Sequence, residues 1–257
     1  MLKDFKKKIF FFAKFNIYEI LIFCSFLSIY IYTSSRTLVY GDTGEFLAVA
    51  AVGGVAHDPG FPLYSLLTRV VFLLFHNSWA VNILSCFFGA LTLIFVYKLI
   101  KLITGNIFAS FFGVFALGTY ESFWFYSLVA QVYVLHVLIL SLFFYFLAKI
   151  FYTQKMNYFY LCAFILGLGI SNHHAIIFVV PSFVIALIYF KRKITWAFLL
   201  KMFIFLCIGL LPYLYIIWAA SGNPPLNWGR IHDVKSFFNV FFRVDYGTLN
   251  LTPYRLS

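Results

Sequence analysis

The chain has 257 residues, of which 63% are apolar, 23% are aromatic and only 11% are charged. Soluble domains contain about 25% charged residues, so the composition excludes an ordinary soluble protein and indicates an integral membrane protein. The net charge of +11 does not indicate nucleic-acid binding, because the basic residues flank apolar runs and the positive-inside rule accounts for them.

The first predicted element is a membrane anchor over residues 16–34. This length lets a helix cross a hydrocarbon core of about 30 Å, and no typical signal-peptide cleavage site follows it. A basic cluster precedes the anchor and puts the N-terminus in the cytoplasm. The cluster consists of Lys3, Lys6, Lys7, Lys8 and Lys14.

The first outer loop is predicted over residues 37–78. Within it, residues 63–75 form an apolar run that carries Arg69. This run is short for a membrane span, so we predict an interfacial helix that does not cross the membrane.

Six further spans follow, and the Lys and Arg residues at their ends set their direction. They cover residues 79–100, residues 106–120, a fourth span from about Gln131 to Lys149, a hairpin of two spans over residues 156–190, and residues 196–219. The sequence therefore predicts an all-α bundle of seven transmembrane helices over residues 1–219. Its N-terminus is inside, and residues 220–257 form an outer C-terminal segment.

This topology gathers the polar chemistry on the outer side of the membrane. The hairpin tip Ser171–His174 reaches that side, and so do six of the eight acidic residues. Those six are Asp42, Glu45, Asp58, Glu121, Asp233 and Asp245.

Asp42 and Glu45 begin the most polar part of the first outer loop, in the sequence YGDTGEF. At a spacing of three they share one face of a helix, which suits a pair of catalytic carboxylates. The same spacing fits a capping box in which Asp42 is the N-cap and Glu45 reaches back to it. In either case a short helix over residues 45–52 is predicted to end at Gly53 and Gly54.

A rigid turn follows at residues 57–62, HDPGFP, because Pro fixes φ and Gly permits a positive φ. A turn by itself requires neither a histidine nor an acid. His57 and Asp58 are therefore candidate substrate-binding residues.

Two further groups on the outer face are candidates for binding. Asn172, His173 and His174 lie at the hairpin tip, where polarity among apolar residues is costly unless it is used. Arg230 and Arg243 break the positive-inside trend, and a guanidinium group binds phosphate through forked hydrogen bonds. The alternatives are histidines that only bond to the backbone and arginines that only contact solvent or lipid headgroups.

Gln131 and Tyr133 begin the fourth span near the outer surface, and both are candidate substrate-binding residues. His136 lies one turn deeper. A single histidine within a span is commonly satisfied by an interhelical hydrogen bond, and we predict that role for His136.

Several sequence blocks resemble, in their order, those of the GT-C glycosyltransferases, polytopic enzymes that take a sugar from a polyprenyl-phosphate carrier. The resemblance is closest to the domain-of-unknown-function 2723 family, which includes transmembrane protein 260-like protein O-mannosyltransferases. The blocks are GDTGEF at 41–46, HDPGFPLYSLL at 57–67, QVYVLH at 131–136, SNHH at 171–174, and LPYLY and PLNWG within 211–229.

The chain also departs from this family. Asp58 stands where the family often has Pro, and Gln131 stands where it often has an acid. The chain is short for such an enzyme, so a fragment, a minimal module and an inactive relative remain alternatives.

The resemblance implies transfer of a sugar, mannose, from polyprenyl phosphate to a protein Ser or Thr hydroxyl with inversion. Asp42 would be the general base, and Glu45 would orient Asp42 or the sugar. The phosphate leaves as an anion and needs positive or donor groups rather than a general acid. The two outer arginines and the two tip histidines are the candidates for that role.

The resemblance further implies that Tyr64 and Trp228 stack on the sugar or the lipid. The active face would be extracytoplasmic, at a bacterial cytoplasmic membrane or at the endoplasmic reticulum of a eukaryote. The implied partners are a polyprenyl-phosphate-linked sugar, a protein acceptor and the lipid bilayer, with no nucleic acid. The resemblance implies no definite cofactor, and a divalent metal held by Asp42, Glu45 and His57 is an alternative.

Two other function classes remain open. A lipid or solute transporter typically has repeats, broken helices and polar residues near the bilayer midplane, whereas only Glu19 and His136 are predicted to lie deep here. A non-catalytic partner that binds polyprenyl phosphate is compatible with the short chain.

Overall fold

The computed structural model describes residues 16–37 and 39–247, which form a bundle of helices. The predicted all-α class is confirmed for these residues, whose one β feature is an isolated parallel bridge between Val55 and Asn227. The predicted basic cluster and residues 248–257 lie outside the described residues.

The helices are α1 Ile17–Thr33, α2 Thr43–Val52, α3 Pro62–Phe75, α4 Ser78–Thr104, α5 Ile107–Gly118, α6 Glu121–Leu128, α7 Val132–Thr153, α8 Asn157–Asn172, α9 Val180–Tyr189, α10 Trp196–Gly209, α11 Tyr213–Ser221 and α12 Val234–Phe241. Short 3-10 helices cover His174–Val179, Lys191–Lys193 and Val244–Tyr246.

Three helical segments among the described residues are long and apolar enough to cross a membrane: α4, α7, and the combined α10 and α11 over Trp196–Ser221. They coincide with three of the predicted spans. The helices at the predicted first, third and fifth spans have 17, 12 and 16 residues. At the sixth span a 3-10 helix precedes the 10 residues of α9. The chain is therefore a membrane protein, and the count of seven spans stays a prediction.

Helix α4 is central to the bundle, and α1, α5, α6 and α7 pack around it. A second group follows, in which α8 packs against both α7 and α10. Fully buried aromatic side chains fill the space between the helices, among them Tyr30, Tyr97, Phe143 and Phe159. Packing of this kind holds helices together where lipid removes the hydrophobic driving force.

Glu19, the buried carboxylate of α1, forms an ion pair with Lys98 and is not part of the candidate site. Glu19 is only 4% exposed, and its carboxylate lies 2.8 Å from Nζ of Lys98 on α4. Glu19 also forms a capping box with Asn16 at the start of α1. A buried charge is costly without such partners, so the role of Glu19 is to hold α1 against α4.

Arg69 fixes α2 against α3. Its Nη1 donates hydrogen bonds to the carbonyl oxygens of Ala50 and Ala51, at 2.9 and 2.6 Å. The last carbonyl groups of a helix lack intrahelical partners, and a positive charge there interacts favourably with the helix dipole. The orientation of α2, which begins just after Asp42, therefore depends on this arginine.

The C-terminal segment is docked on the first loop. The Val55 N–H donates to the Leu226 carbonyl at 2.9 Å, and the Trp228 N–H donates to the Val55 carbonyl at 3.3 Å. Gly54 permits this approach, because a Cβ atom there would collide with the Leu226 carbonyl. The Tyr215 hydroxyl donates to the Gly54 carbonyl at 3.2 Å. These contacts bring distant parts of the chain to one place.

Gly167 of α8 and Gly209 of α10 let these two helices approach closely. A Cβ atom on Gly167 would collide with the Leu206 carbonyl, and one on Gly209 with the Phe164 carbonyl. We expect Gly167→Ala to destabilise the protein by about 1–3 kcal/mol, because backbone rather than a flexible side chain would have to move.

Thermal unfolding of the detergent-solubilised protein measures this loss. Gly44→Ala is the matched control, since a Cβ atom there meets nothing within 4 Å. Equal losses in the two variants would show that the α8–α10 contact is not the cause.

Candidate active site

Asp42 lies at the start of α2 and presents a free carboxylate. The residue is exposed, and its side chain makes no capping hydrogen bond. The predicted capping box is therefore wrong, because Glu45 is directed elsewhere. The predicted end of this helix is confirmed: Gly53 has a φ of 70° and its N–H donates to the Val49 carbonyl.

Glu45 is paired with His57. One carboxylate oxygen accepts a hydrogen bond from the His57 backbone N–H at 2.7 Å, and the other lies 2.8 Å from Nδ1. Because a carboxylate only accepts, Nδ1 carries the proton, and Nε2 of the neutral ring is an acceptor. Burial by itself lowers the pKa of His57, but the hydrogen bond and charge of Glu45, with the charges of Asp42 and Asp58, raise that pKa above its usual value.

Glu45 and His57, two of the three residues of the alternative metal site, face each other. Both oxygens of Glu45 are engaged by His57. Among the residues that the structure describes, no group of three or more His, Cys, Asp or Glu side chains is arranged to hold a metal ion. The arrangement suits proton transfer and hydrogen bonding.

Asp58 is buried in the turn and only 6% exposed. Burial first, and then the charge of Asp245, raise the pKa of its carboxyl group to about 6, although the charges of His57 and Arg243 oppose this. The turn therefore lies against the segment around residues 243–246, from the other end of the chain.

We expect Asp58→Asn to stabilise the protein above about pH 6 and to have little effect below about pH 4. The folded-state pKa of about 6 exceeds the ordinary value of 3.8, so the folded state binds the proton more tightly. Stability present at low pH is then lost as the pH rises through about 6, whereas an amide does not ionise. Unfolding midpoints of both proteins across this range test it, and a difference independent of pH would contradict it.

His173 is the centre of an aromatic group. Its ring centre lies 5.8 Å from that of Phe61 in a stacked arrangement, 5.9 Å from that of Tyr133 and 5.3 Å from that of His136. Phe61 also contacts the ring of His57 at 5.0 Å. The hairpin tip and the first outer loop therefore meet, as the sequence predicts for residues of one site.

The protonation of His173 follows from its backbone contact. Its Nδ1 accepts a hydrogen bond from the Ala175 N–H at 3.2 Å, so the neutral ring carries its proton on Nε2. Burial, followed by the charges of Arg243 and His57, lowers the pKa of His173 and favours this neutral form. Nε2 is then a hydrogen-bond donor available to a ligand.

The neighbouring histidines differ from their predictions in two ways. His136 lacks the predicted interhelical hydrogen bond, since its Nδ1 is buried without a partner; its closest ring contact is His173. His174 is engaged on one side, where its Nε2 lies 2.9 Å from the Tyr213 hydroxyl. His136 is thus a site residue for which the sequence predicts only an interhelical hydrogen bond.

Arg243 brings a positive charge to the histidines. Its guanidinium carbon lies 5.4 Å from the ring centre of Tyr246, and its Nε is buried without a hydrogen-bond partner. Arg243, His173 and His174 line part of a cavity of about 800 Å³. The remaining lining is mainly apolar and comes from α8, α9, α10, α12 and the 3-10 helix His174–Val179, with Ile170, Phe183, Met202, Phe203, Leu206 and Phe241 among its members.

Three predicted contact residues are buried beside the site instead of lining it. Gln131 donates from Nε2 to Thr43 Oγ1 at 3.3 Å, and Asn172 donates from Nδ2 to the Val132 carbonyl at 3.3 Å. Their exposed fractions are 4% and 0%, and that of Tyr64 is also 0%. The stacking role predicted for Tyr64 is therefore wrong in this structure, because its ring has no free surface.

Trp228 and Arg230 have exposed side chains. Within the described residues both hydrogen-bond only through their own backbone atoms: the Arg230 N–H donates to the Asn227 carbonyl at 3.1 Å, and Nδ1 of His232 donates to the Arg230 carbonyl at 2.6 Å. The structure thus brings Arg243, and not Arg230, to the histidines.

Tyr246 belongs to the site although no sequence pattern indicates it. Its ring centre lies 6.2 Å from that of His57, and burial, followed by the charges of Asp58 and Glu45, raises its pKa. Tyr246 reaches the first loop because residues 243–247 fold back through a 3-10 turn between two left-handed residues. Arg243 is the residue of this segment that the sequence indicates.

Residues 42–197 match the family model described as the Protein O-mannosyl-transferase TMEM260 N-terminal domain. The Mus musculus Protein O-mannosyl-transferase TMEM260 is 29% identical over 249 residues, covering 91% of this chain and 35% of the mouse protein. The Dictyostelium discoideum relative of the same name is 26% identical over 254 residues, covering 90% of this chain and 31% of that protein. The chain spans about a third of the length of these curated relatives. No solved structure matches it.

Proposed function

The chain belongs to the family of the Protein O-mannosyl-transferase TMEM260 N-terminal domain, and on this basis we propose that it is a membrane glycosyltransferase of the GT-C type. It transfers mannose from a polyprenyl-phosphate carrier to a Ser or Thr hydroxyl of a protein. The names of the relatives supply the sugar and the kind of acceptor. The carrier is inferred from the chemistry of the site.

The observation that carries the proposal is the meeting of a proton acceptor, phosphate-binding groups and an apolar cavity. The charge of Asp42 acts on His57, and His57 contacts His173 through the ring of Phe61. His173 and Arg243 line the apolar cavity. A lipid phosphate needs this combination of a charged end and an apolar path.

In the proposed reaction Asp42 takes the proton of the acceptor hydroxyl as its oxygen attacks the anomeric carbon. The bond from that carbon to the phosphate oxygen breaks, and the phosphate leaves with the electron pair. Arg243 and the Nε2–H of His173 stabilise the departing negative charge. One direct displacement inverts the configuration at the anomeric carbon.

The apolar cavity supports a lipid carrier over a soluble sugar nucleotide. Its volume of about 800 Å³ lies within the range of about 300–1,000 Å³ for ligand pockets. Its polar side chains are the two histidines and Arg243, and the side chains from α9 and α10 are apolar. A nucleotide would leave those apolar surfaces without a partner.

We propose the seven-span topology, with the N-terminus in the cytoplasm and the site on the extracytoplasmic face. Three helices meet the length and composition of a span. The site residues all lie near helix ends: at the start of α2 and α7, after α8 and after α12. This placement agrees with a site at one membrane face.

The purified chain, supplied with labelled polyprenyl-phosphate mannose and a Ser/Thr-containing protein acceptor, tests the proposal. We expect label in the acceptor, with the anomeric configuration inverted, and no transfer from a nucleotide-linked mannose. Transfer from the nucleotide alone would exclude the lipid carrier, and retained configuration would exclude direct displacement. Tight binding of polyprenyl phosphate with no sugar transfer would favour a non-catalytic lipid-binding partner.

A further inference from the structure

We propose that a second cleft, along α6, binds the polypeptide acceptor and presents its hydroxyl to Asp42. This inference rests on the proposed sugar transfer and adds the place and chemistry of acceptor recognition. The α6 cleft has a volume of about 420 Å³, within the range of about 300–1,000 Å³ for ligand pockets. Its lining includes Glu121, Ser122, Trp124, Phe125 and Tyr126.

The α6 cleft is linked to Asp42 through Tyr133 and Gln131. The ring centre of Tyr126, which lines the cleft, lies 4.8 Å from that of Tyr133, and Tyr133 is within electrostatic reach of Asp42. Just after α6, Gln131 donates to Thr43, the residue that follows Asp42. An acceptor chain in the cleft therefore has a short path to the carboxylate.

Tyr133 links the α6 cleft to the donor groups. Its ring centre lies 4.8 Å from that of Tyr126 and 5.9 Å from that of His173. A displacement with inversion needs the attacking oxygen on the side of the anomeric carbon opposite to the phosphate. We therefore place the donor phosphate at His173 and Arg243 and the acceptor beside Tyr126, with the sugar between them.

The α6 cleft and the lipid cavity differ in charge. Glu121 is the charged residue of the α6 cleft, which otherwise offers aromatic rings and hydroxyl groups. A carboxylate repels phosphate, so the cleft is unsuited to a second lipid phosphate or to a nucleotide. Aromatic rings that pack on apolar side chains, together with an acid that pairs with Lys or Arg, suit a peptide with a basic residue near its Ser or Thr.

The test measures binding of two fluorescent Ser/Thr peptides, one with Lys and one with Gln beside the acceptor residue, to the purified full chain. We expect Tyr126→Ala to weaken both peptides by about 5-fold, because a ring contact is lost. We expect Glu121→Gln to weaken only the Lys peptide, by about 3-fold, because an exposed ion pair is lost. Binding of polyprenyl phosphate should not change in either variant.

Two controls make the test specific. Tyr120→Ala removes a ring next to Glu121 that is 61% exposed and does not line the cleft, so it should leave peptide binding unchanged. Phe242→Ala alters the lipid cavity and should weaken only polyprenyl phosphate binding.

The inference is overturned if Tyr126→Ala and Glu121→Gln bind both peptides as the wild type does, or if Tyr120→Ala has the same effect as Tyr126→Ala. A loss of polyprenyl phosphate binding in Tyr126→Ala would assign the cleft to lipid instead. Sugar transfer in the same preparations separates the two proposals: specific peptide binding without any transfer supports the cleft and counts against the proposed enzyme.

Discussion

Replacing Asp42 by Asn is expected to lower mannose transfer by about 10²–10⁴-fold, the range that a positioned general base contributes. Asn keeps the size of the side chain but does not accept the proton of the acceptor hydroxyl. Asp42 is exposed and its side chain forms no capping bond, so the fold and lipid binding should be preserved. Initial rates at saturating donor, with polyprenyl phosphate affinity measured on the same sample, check this prediction.

Asp233→Asn is the matched control for Asp42→Asn. Asp233 is another exposed acid in the outer segment, where it caps α12, and Asn caps a helix about as well as Asp. Its replacement should therefore leave transfer and stability unchanged. If Asp42→Asn transfers mannose as fast as the wild type, Asp42 is not the base, and Nε2 of His57, held by Glu45, becomes the next candidate.

The local structure around Asp42 could be predicted from sequence, but the partner of Glu45 could not. The short α2 helix and its glycine end depend on neighbouring residues, and both were predicted. The Glu45 to His57 contact joins residues 12 apart in the chain, and it depends on how the turn folds back over α2. The predicted capping box assigned the Glu45 carboxylate to a local hydrogen bond with residue 42, and the folded chain does not form that bond.

The sequence identified the chemistry of the outer face more reliably than the exact residues. Gln131 and Tyr64 have the polar groups of ligand contacts, yet both are buried against neighbouring helices. His136, for which the sequence predicts an interhelical hydrogen bond, contacts the ring of His173. Sequence spacing places all of these near helix ends and does not separate a side chain that lines a site from one that supports it.

The membrane class followed from composition, whereas the number of spans did not follow as directly. Helix α5 has only 12 residues and α8 has 16, less than the roughly 20 residues that a perpendicular helix needs to cross a bilayer. Charge at the ends of apolar runs predicts direction, but it does not show how far a short helix penetrates. The seven-span count therefore rests on charge rather than on helix length.

Arg243→Ala is expected to lower mannose transfer by about 10²–10³-fold, the usual effect of removing one fixed donor that faces developing charge. The guanidinium group shares the lipid cavity with His173 and His174, and its unpaired buried Nε leaves a donor for a phosphate oxygen. Arg243→Lys should lose less, because the charge remains and only the forked geometry is lost. Transfer rates at several donor concentrations, with free polyprenyl phosphate as a competitor, measure both variants.

Arg230→Ala provides a closely matched control for this loss. Arg230 and Arg243 both have a left-handed backbone, at φ values of 45° and 55°, so each substitution has a similar backbone cost. Arg230 is exposed and, within the described residues, its hydrogen bonds are made by its backbone. Its replacement should change transfer by less than about 2-fold, as for a surface residue with little interaction energy.

Arg243→Gln, which keeps most of the side-chain bulk over Tyr246, separates loss of charge from loss of packing. If Arg230→Ala is as damaging as Arg243→Ala, or if Arg243→Gln keeps full donor affinity, the leaving phosphate is not held at Arg243.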